Sequence, residues 1–384
     1  MKFSCTQENF LQGLQVVSHA AGKNISLPIL NNVLIKIENK ELKLVTTNLE
    51  MAISCCLRAK VDEDGEFTVP CRLLTDYLSV SSPGRVDVEQ KDSELLVQSA
   101  SDKTMIKGNV AVDFPLVPQL ERKKMYGLKV VDFKEMAQKV IFAASKNEAR
   151  PELGGVLLNF NPDFKLGFVV SAATDSYRLA EKEVKLLENL TNKSYSAETS
   201  KVIVPVRALQ EILRIVSTYH EDLEEEHHVE IVVSDSQIMF SYGLVELVSR
   251  LIEGQYPDYR QIIPANSKTN ISFNVAEWIK RIKAASLFSN VGINGIVLTF
   301  KAGNEQKTTF ISTNGQLGNY TSEELCQIEG EDNHILLNYR YLLDGLMNLS
   351  SEEAVLKVIS PNSPCVLSSK SGSGYLYIIM PIKE

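Results

Sequence analysis

The phrase VVSAATDSYRLAEKE, Val169 to Glu183, constrains this chain most, because thinner copies of it occur twice more. LVTTNLEMAIS runs from Leu44 to Ser54, and FISTNGQLGNY from Phe310 to Tyr320. Thr47-Asn48, Thr174-Asp175 and Thr313-Asn314 correspond, at intervals of 127 and 139 residues. Apolar residues run into each polar corner and out again, as in two strands joined by a tight turn. The middle copy alone places Tyr177-Arg178-Leu179 after its corner. A repeat this long is a duplicated domain and not a solenoid unit. The chain therefore reads as three copies of one domain, 1–125, 126–263 and 264–384, with the middle copy specialised for binding.

A third of 384 residues is 128, enough for each copy to bury a core of its own. With 44% apolar and 23% charged residues the chain has a soluble, globular composition. No apolar run approaches the roughly 18 residues of a membrane span. Gln7, Glu8, Asn9 and Gln12 interrupt any signal-peptide core. Cys5, Cys55, Cys56, Cys71, Cys326 and Cys365 form no CxxC pair, which points to a reduced, cytoplasmic protein. The net charge of −8 argues against a protein that simply coats nucleic acid.

Residues 6–21 place Phe10, Leu14 and Val17 on one helical face, and Gly22-Lys23-Asn24 ends that helix. Strands alternate at Ile35, Ile37, Leu42 and Leu44 around a turn at Asn39-Lys40. After a strand from Ala52 to Ala59, GEFTVPCRLLTDYLSVSS gives a short strand and a second helix, with Pro70 near its first turn. Strands follow at Arg85–Glu89, Leu95–Ser99 and Met105–Val110. The second copy repeats the order. Its first helix turns Phe133, Ala137, Ile141 and Ala144 inward, and SKVIVPVRALQEILRIVS matches the earlier strand-helix phrase. The third copy turns Trp278, Ile282 and Ala285 inward, and Arg340 takes the place of Arg72 and Arg207. Each copy thus contributes two helices and about eight short strands, an α+β class with mostly antiparallel sheets and helices on one side.

At this point the chain resembles the bacterial DNA sliding clamp family, the β subunit of the replicative polymerase. Four separated phrases carry the resemblance in order and spacing: the opening MKFSCTQENFLQGLQVVSHAAGKNISLPILNN, ATDSYRLA, GQYPDYRQIIP and the ending YIIMPIK. The resemblance covers the whole chain. It implies the DNA clamp fold, a head-to-tail homodimer whose six domains close a ring, with helices lining the hole and sheets outside. It implies encircled duplex DNA, read without sequence preference, and a processivity role that tethers the replicative polymerase. It implies no catalysis and no cofactor.

Uneven charge is what such a ring needs. Helices expected at 6–23, 71–80, 132–146, 206–216, 275–283 and 338–349 sum to +4, leaving −12 for the rest. Arg207 and Arg214 lie two turns apart, as do Lys139 and Lys146, and each pair is expected on one exposed face. Lys280 and Lys283 flank the Trp278–Ile282 stripe. Ordinary solvated helix faces would look the same; the resemblance shifts the reading toward a pore lining that also includes Arg72, Lys23 and Asn24. Asn24 stands where some relatives carry arginine.

The resemblance also implies a surface pocket for short peptides of polymerases, the clamp loader and other partners. Its first part matches Arg150, Leu153, Thr174, Ser176, Tyr177, Arg178, Leu179, Pro257 and Ile262. Its second part matches Asn338, Tyr341, Ile378, Ile379, Met380, Pro381 and Ile382. Leucine, isoleucine, methionine and proline offer an apolar slot, Met380 adapts its shape, and Arg150, Asn338 and Tyr341 can fix a peptide backbone. Taken alone, Ile378 to Ile382 would read as a terminal core strand. Ser176 stands where relatives often have glycine, and Gln261 where some have arginine. Ile106, Leu287 and Phe288 are expected at the joint between two copies.

The remaining signals are weak. His220, His227 and His228 in the acidic run EDLEEEHH read as a solvated loop, because zinc sites need rigid ligand spacing. Gly372-x-Gly374 precedes no helix and is no nucleotide loop. Cys55-Cys56 lies in a strand, where neighbours face opposite ways, so it is no dithiol. Two classes of function remain, a non-enzymatic clamp carried along DNA and a repeat-built scaffold that binds peptides but encircles nothing. The basic helices favour the clamp.

Overall fold

The computed structural model describes residues 1–22, 27–116, 120–190, 193–219, 228–290, 292–372 and 374–383. Lys23, Asn24, His220 and His227 lie outside the described residues. Six α-helices are described: α1 Gln7–Val17, α2 Cys71–Val80, α3 Val130–Ile141, α4 Val206–Thr218, α5 Val275–Ser286 and α6 Tyr339–Met347. Each copy holds two, as the sequence predicts. All described strand pairs with a printed register run antiparallel, and the chain divides into two compact units whose boundaries fall within the second copy.

The first unit comprises Met1–Lys134, Leu186–Glu198 and Arg207–Leu251. Its smaller sheet has five strands in the order Lys60–Glu63, Lys2–Thr6, Arg85–Lys91, Glu94–Gln98, Lys103–Lys107. The last of these is an edge. Its larger sheet has nine strands, because Met51–Leu57 of the first copy pairs with Val245–Arg250 of the second. Alternation sets the inward face: Ile35, Ile37, Leu42 and Leu44 are all buried. Asn39 and Lys40 turn the hairpin between them with positive φ (52° and 64°), the left-handed geometry of a two-residue turn. Phe10, Leu14 and Val17 of α1 are fully buried, as the periodicity predicts. Cys55 is buried and Cys56 half-buried, on opposite faces of their strand.

The second unit comprises Glu135–Lys185, Thr199–Val206 and Ile252–Glu384. Here too a nine-stranded sheet forms where two copies join: Arg178–Lys185 pairs with Tyr375–Ile379. A four-stranded sheet runs in the order Gly318–Leu325, Lys307–Asn314, Gly295–Lys301, Asn333–Asn338, with Gly318–Leu325 at its edge. Trp278 of α5 is fully buried, stacked on Phe273 at 3.6 Å between ring centroids and edge-on to Phe310.

The three corners share one hydrogen-bond device. The Asn48 carboxamide oxygen accepts from the backbone N–H groups of Glu50 and Met51, the Asp175 carboxylate from Tyr177 and Arg178, and the Asn314 oxygen from Gln316 and Leu317. The Thr47 and Thr174 hydroxyls donate to the carbonyls four residues on. These threonine and Asx residues satisfy the backbone groups that a tight corner would orphan, which is why they recur in the sequence.

Two helix expectations need correction. The helix starting near residue 132 stops at Ile141 and not at Lys146, so Lys139 and Lys146 do not share a helical face. The first helix ends at Val17, followed by a 3-10 turn at Ser18–Ala20.

Candidate functional site

The Thr174–Leu179 corner sits in the second unit beside the last strand of the chain. Its geometry begins with Asp175, which holds the corner's N–H groups with one oxygen and takes the Arg178 Nε at 3.1 Å with the other. Ser176 adopts φ +77°, its N–H donating to the Thr174 hydroxyl at 3.1 Å. Left-handed backbone favours glycine, so the serine is the strained choice at this position. Arg150 Nη1 reaches the Ser176 hydroxyl at 3.4 Å while its Nε pairs with Glu152 at 3.0 Å.

Below the corner is an apolar floor. Leu153, Leu179 and Ile378 join Tyr256, Tyr259 and Val366 in one buried cluster, with Ile263 packed against it. The Tyr256 hydroxyl accepts the Thr174 N–H at 3.1 Å, and the Tyr259 hydroxyl donates to Glu181. Burial pushes both phenols up from their ordinary range, so both remain neutral donors or acceptors at physiological pH.

Above the floor stand two tyrosines. Tyr177 is 62% exposed and stacks on Tyr341 at 6.4 Å between centroids and 20° between planes. The Arg178 guanidinium lies over the Tyr341 ring, 4.7 Å from its centroid, and 5.5 Å from that of Phe142. Arg178 also donates to Asp344 and to the Phe142 carbonyl.

The chain's end is tied across this group. Met380 N donates to the Tyr177 carbonyl at 2.8 Å, and Ile382 N to the Leu336 carbonyl at 2.9 Å. Asn338 caps α6, accepting the Arg340 N–H at 2.9 Å, and pairs with Gly295, where an added Cβ would lie 3.6 Å from Ile382 Cδ1. Met380, Pro381 and Ile382 are half-buried, as are Pro257, Asn338 and Tyr341, while Ile262 is exposed.

Both sets of predicted pocket residues therefore lie in one compact unit, but not all can meet a ligand. Ile378 and Ile379 are fully buried in the sheet, and Leu153 and Leu179 nearly so. They support a surface whose accessible residues are Arg150, Ser176, Tyr177, Pro257, Ile262, Asn338, Tyr341 and Met380 to Ile382. The core-strand reading of the chain's end holds up to Ile379. Sequence reasoning missed Asp175, Phe142, Leu336 and Asp344. Tyr256 and Tyr259 had a visible signal in the GQYPDYRQIIP phrase; Phe142 and Asp344 are brought in by the fold and had none.

The other predicted positions fare unevenly. Lys139 is 6% exposed, where exposure was expected; it donates to Ser350, pairs with Glu135 at 2.8 Å and lies 5.3 Å from the Tyr375 ring centroid. Its ammonium is committed to the interior. Lys182 joins the same carboxylate at 3.1 Å. Arg214 is held by Glu211 at 2.9 Å and by the Val16 carbonyl at 2.9 Å, so it does not present a free charge as Arg207 does. Arg72, Lys146, Arg207, Lys280 and Lys283 are exposed, with Arg72 3.6 Å from Asp76.

Ile106 is 4% exposed and faces the core opposite Leu95, which corrects its placement on a subunit surface; the adjacent Met105 is exposed. Leu287 is 70% exposed at the end of α5, and Phe288 is half-buried, stacked on Tyr320. Among the described residues no group of three or more His, Cys, Asp or Glu is placed to hold a metal ion. No described helix is long and apolar enough to cross a membrane.

Three family models match the chain in succession: the N-terminal domain of the DNA polymerase III beta subunit over residues 1–118, its central domain over 127–258 and its C-terminal domain over 260–383. The chain is similar to a beta sliding clamp of Synechocystis sp., 30% identical, spanning 100% of this chain and 99% of the relative. It is 28% identical to a Staphylococcus aureus beta sliding clamp over the same shares. Among solved structures, the DNA polymerase III subunit beta of Pseudomonas aeruginosa superposes with a TM-score of 0.91 at 24% identity, covering 100% of both chains. The sliding clamp of Bacillus subtilis does so with a TM-score of 0.90 at 24% identity, covering 100% of this chain and 99% of that one. These likenesses give the fold; the sequence matches give the family. The chain belongs to the bacterial beta sliding clamp family, the beta subunit of DNA polymerase III.

Proposed function

We propose that two copies of this chain close head to tail into a ring around duplex DNA, sliding with it and tethering the replicative polymerase and the clamp loader through peptides bound at the Tyr177–Tyr341 surface. The observation that carries the ring is internal to the chain. Strand Met51–Leu57 pairs with Val245–Arg250, and Arg178–Lys185 with Tyr375–Ile379. Two strands occupy the equivalent positions without a described partner on one side: Gly318–Leu325 after the third corner, and Lys103–Lys107 at the end of the first copy's small sheet. An unpaired edge is a template for another strand. Two copies that each join one edge to the other's complementary edge satisfy both and close, whereas a geometry that did not close would polymerise.

Charge and apolar surface suit this joint. Lys103 and Lys107 lie on one edge; on the other, Glu323 is exposed and 3.3 Å from Lys307, while Glu324 is held inside its own copy by Arg281 at 2.6 Å. By the repeat's equivalence Leu317 takes the place of Arg178, and Leu73 that of Tyr341. Leu73 is 54% exposed and Leu317 65% exposed, and each would find the other across the joint. Met105 and Leu287 are candidate contacts beside them. Arg72, Lys146, Arg207, Lys280 and Lys283 are the cations available to face the phosphate backbone. The role needs no catalytic group and no cofactor, and it places the protein with the DNA in the cytoplasm.

Retention on DNA tests this reading. The protein is loaded on circular duplex by its clamp loader, washed with salt, and the circle is then cut once. Phosphate contacts alone are salt-labile: six to ten of them lose roughly 10³–10⁵ in affinity between 50 and 200 mM salt. A ring stays on the washed circle and leaves after the cut. Loss from intact circles at the rate seen for cut ones refutes encirclement and leaves a peptide-binding scaffold.

A further inference from the structure

Behind the tyrosine wall, groups that no peptide needs to touch converge on Arg178. The arginine side chain is only 12% exposed, so its charge must be compensated inside the protein. Asp175 supplies one carboxylate, at 3.1 Å, but that residue also holds the corner backbone. Asp344, on α6, supplies the other, and its carboxylate has no further described partner. The Phe142 carbonyl accepts from Nη2 at 2.9 Å, and the Phe142 ring centroid lies 5.5 Å from the guanidinium carbon. Phe142 in turn leans on Tyr377 at 5.7 Å between centroids, and the Tyr377 hydroxyl donates to the Tyr341 carbonyl at 2.9 Å. The circuit is closed: Tyr341 is backed by Arg178 over its ring and by Tyr377 at its backbone, and both are braced by Phe142.

We propose that Asp344 and Phe142 are positioning residues for peptide recognition: by fixing the Arg178 guanidinium they hold Tyr341, and with it Tyr177, at the spacing a partner peptide meets. This rests on the peptide-site reading above. The reason is geometric. A cation stacked on an aromatic face is attracted to it, more strongly when desolvated, and a planar guanidinium stacks only in the plane its hydrogen bonds allow. Without the Asp344 carboxylate the guanidinium loses one anchor of its plane and turns toward Asp175. Tyr341 then loses its backing, and the exposed Tyr177 loses the ring it stacks on. Recognition surfaces need their side chains locked by such outer contacts, and a loose wall costs affinity even when every contact residue is present.

The test is calorimetry with a synthetic peptide taken from the cognate replicative polymerase, on the full chain and four variants: Asp344→Asn, Asp344→Glu, Phe142→Leu and a truncation lacking Met380 to Glu384. The truncation should abolish binding, since it removes the strap tied to Tyr177 and Leu336. Asp344→Asn should weaken the peptide about tenfold and Phe142→Leu several-fold, with melting temperatures near that of the parent. Asp344→Glu, which keeps the carboxylate, should bind within about threefold of the parent. Full affinity in Asp344→Asn, while the truncation still abolishes binding, overturns the positioning role and leaves the site intact. A loss in Asp344→Asn that tracks a lowered melting temperature and is not restored by Asp344→Glu also overturns it, since the pair would then serve only the fold. Undiminished binding to the truncation refutes the peptide site itself.

Discussion

Leu287→Asp is the sharpest perturbation of the proposed joint between copies. Leu287 closes α5 through its backbone, its N–H bonded to the Ala284 carbonyl, while its side chain is 70% exposed in the single chain. The substitution therefore leaves the monomer's packing alone. Fully burying a leucine side chain is worth about 1.5–3 kcal/mol, so covering the exposed share contributes roughly 1.5 kcal/mol at each joint. An aspartate there forfeits that and leaves a poorly solvated carboxylate, a further cost of about 1–3 kcal/mol. A ring of two copies has two such joints, so separation becomes easier by roughly 5–9 kcal/mol. At about 1.4 kcal/mol per decade that is at least a thousandfold rise in the dimer's Kd. Sedimentation equilibrium over a concentration series measures it. Phe288 is a poorer probe, because its stack on Tyr320 at 6.1 Å belongs to the monomer's own packing. A Kd within threefold of the parent's refutes the placement of Leu287 at the joint, and so does a monomer that melts several degrees lower, which would mark damage to the fold.

Two further outcomes follow from local geometry. Ser176 at φ +77° should accept glycine with a stability change within about 1 kcal/mol, since relief of left-handed strain offsets glycine's entropy cost, whereas Ser176→Val should lose about 1–2 kcal/mol in thermal unfolding; equal melting of the two variants would remove the strain argument. Burial pushes the thiols of Cys5 and Cys365 up to about 12 and of Cys71 up to about 11, against roughly 8.5 in an unfolded chain. Because the native pKa values are raised, the stability these thiols contribute is complete below pH 8.5 and is lost as pH climbs toward 11–12. Iodoacetamide at pH 8 should then leave all three unlabelled in the native protein and label them in denaturant, as mass spectrometry reads directly; rapid native labelling would contradict their burial.

The repeat was legible because each corner solves the same local problem with the same residues. Thr47-Asn48, Thr174-Asp175 and Thr313-Asn314 announce backbone hydrogen bonds that only short polar side chains can supply. Strand alternation likewise announced the buried faces at Ile35 and Leu42, and helical periodicity the one at Trp278. What could not be read was which side of a non-periodic or edge segment turns inward. Ile106 lies on an edge strand, yet its pairing with Leu95 sends it to the core and leaves Met105 outside. Lys139 has the spacing of a solvated helix residue, but Glu135 and Ser350, more than two hundred residues apart in sequence, meet at its ammonium. Asp344 and Phe142 were invisible for the same reason: their roles are set by contact with Arg178, and nothing in their own neighbourhoods marks it.

The corrected placement of cations sharpens how such a ring would hold DNA. With the observed boundaries α1 to α6 carry −1, 0, 0, +1, +2 and 0, a total of +2 against −10 for the rest of the chain. The separation of charge is therefore smaller than the sequence suggested, and it resides in α4 and α5. One of the α4 arginines, Arg214, is already bonded to Glu211 and to a carbonyl, which leaves Arg207, Lys280 and Lys283 as the helix cations of these two elements with exposed side chains. So few phosphate contacts release few counterions, and binding that rests on them is weak at physiological salt. Strong contacts would also resist sliding, because each step along the duplex would break and remake them. A chain of this charge suits a ring only if closure keeps it on the DNA and the cations merely centre the duplex. On that reading, neutralising Arg207, Lys280 and Lys283 should slow loading, when the ring is open and attraction matters, and change little once it has closed.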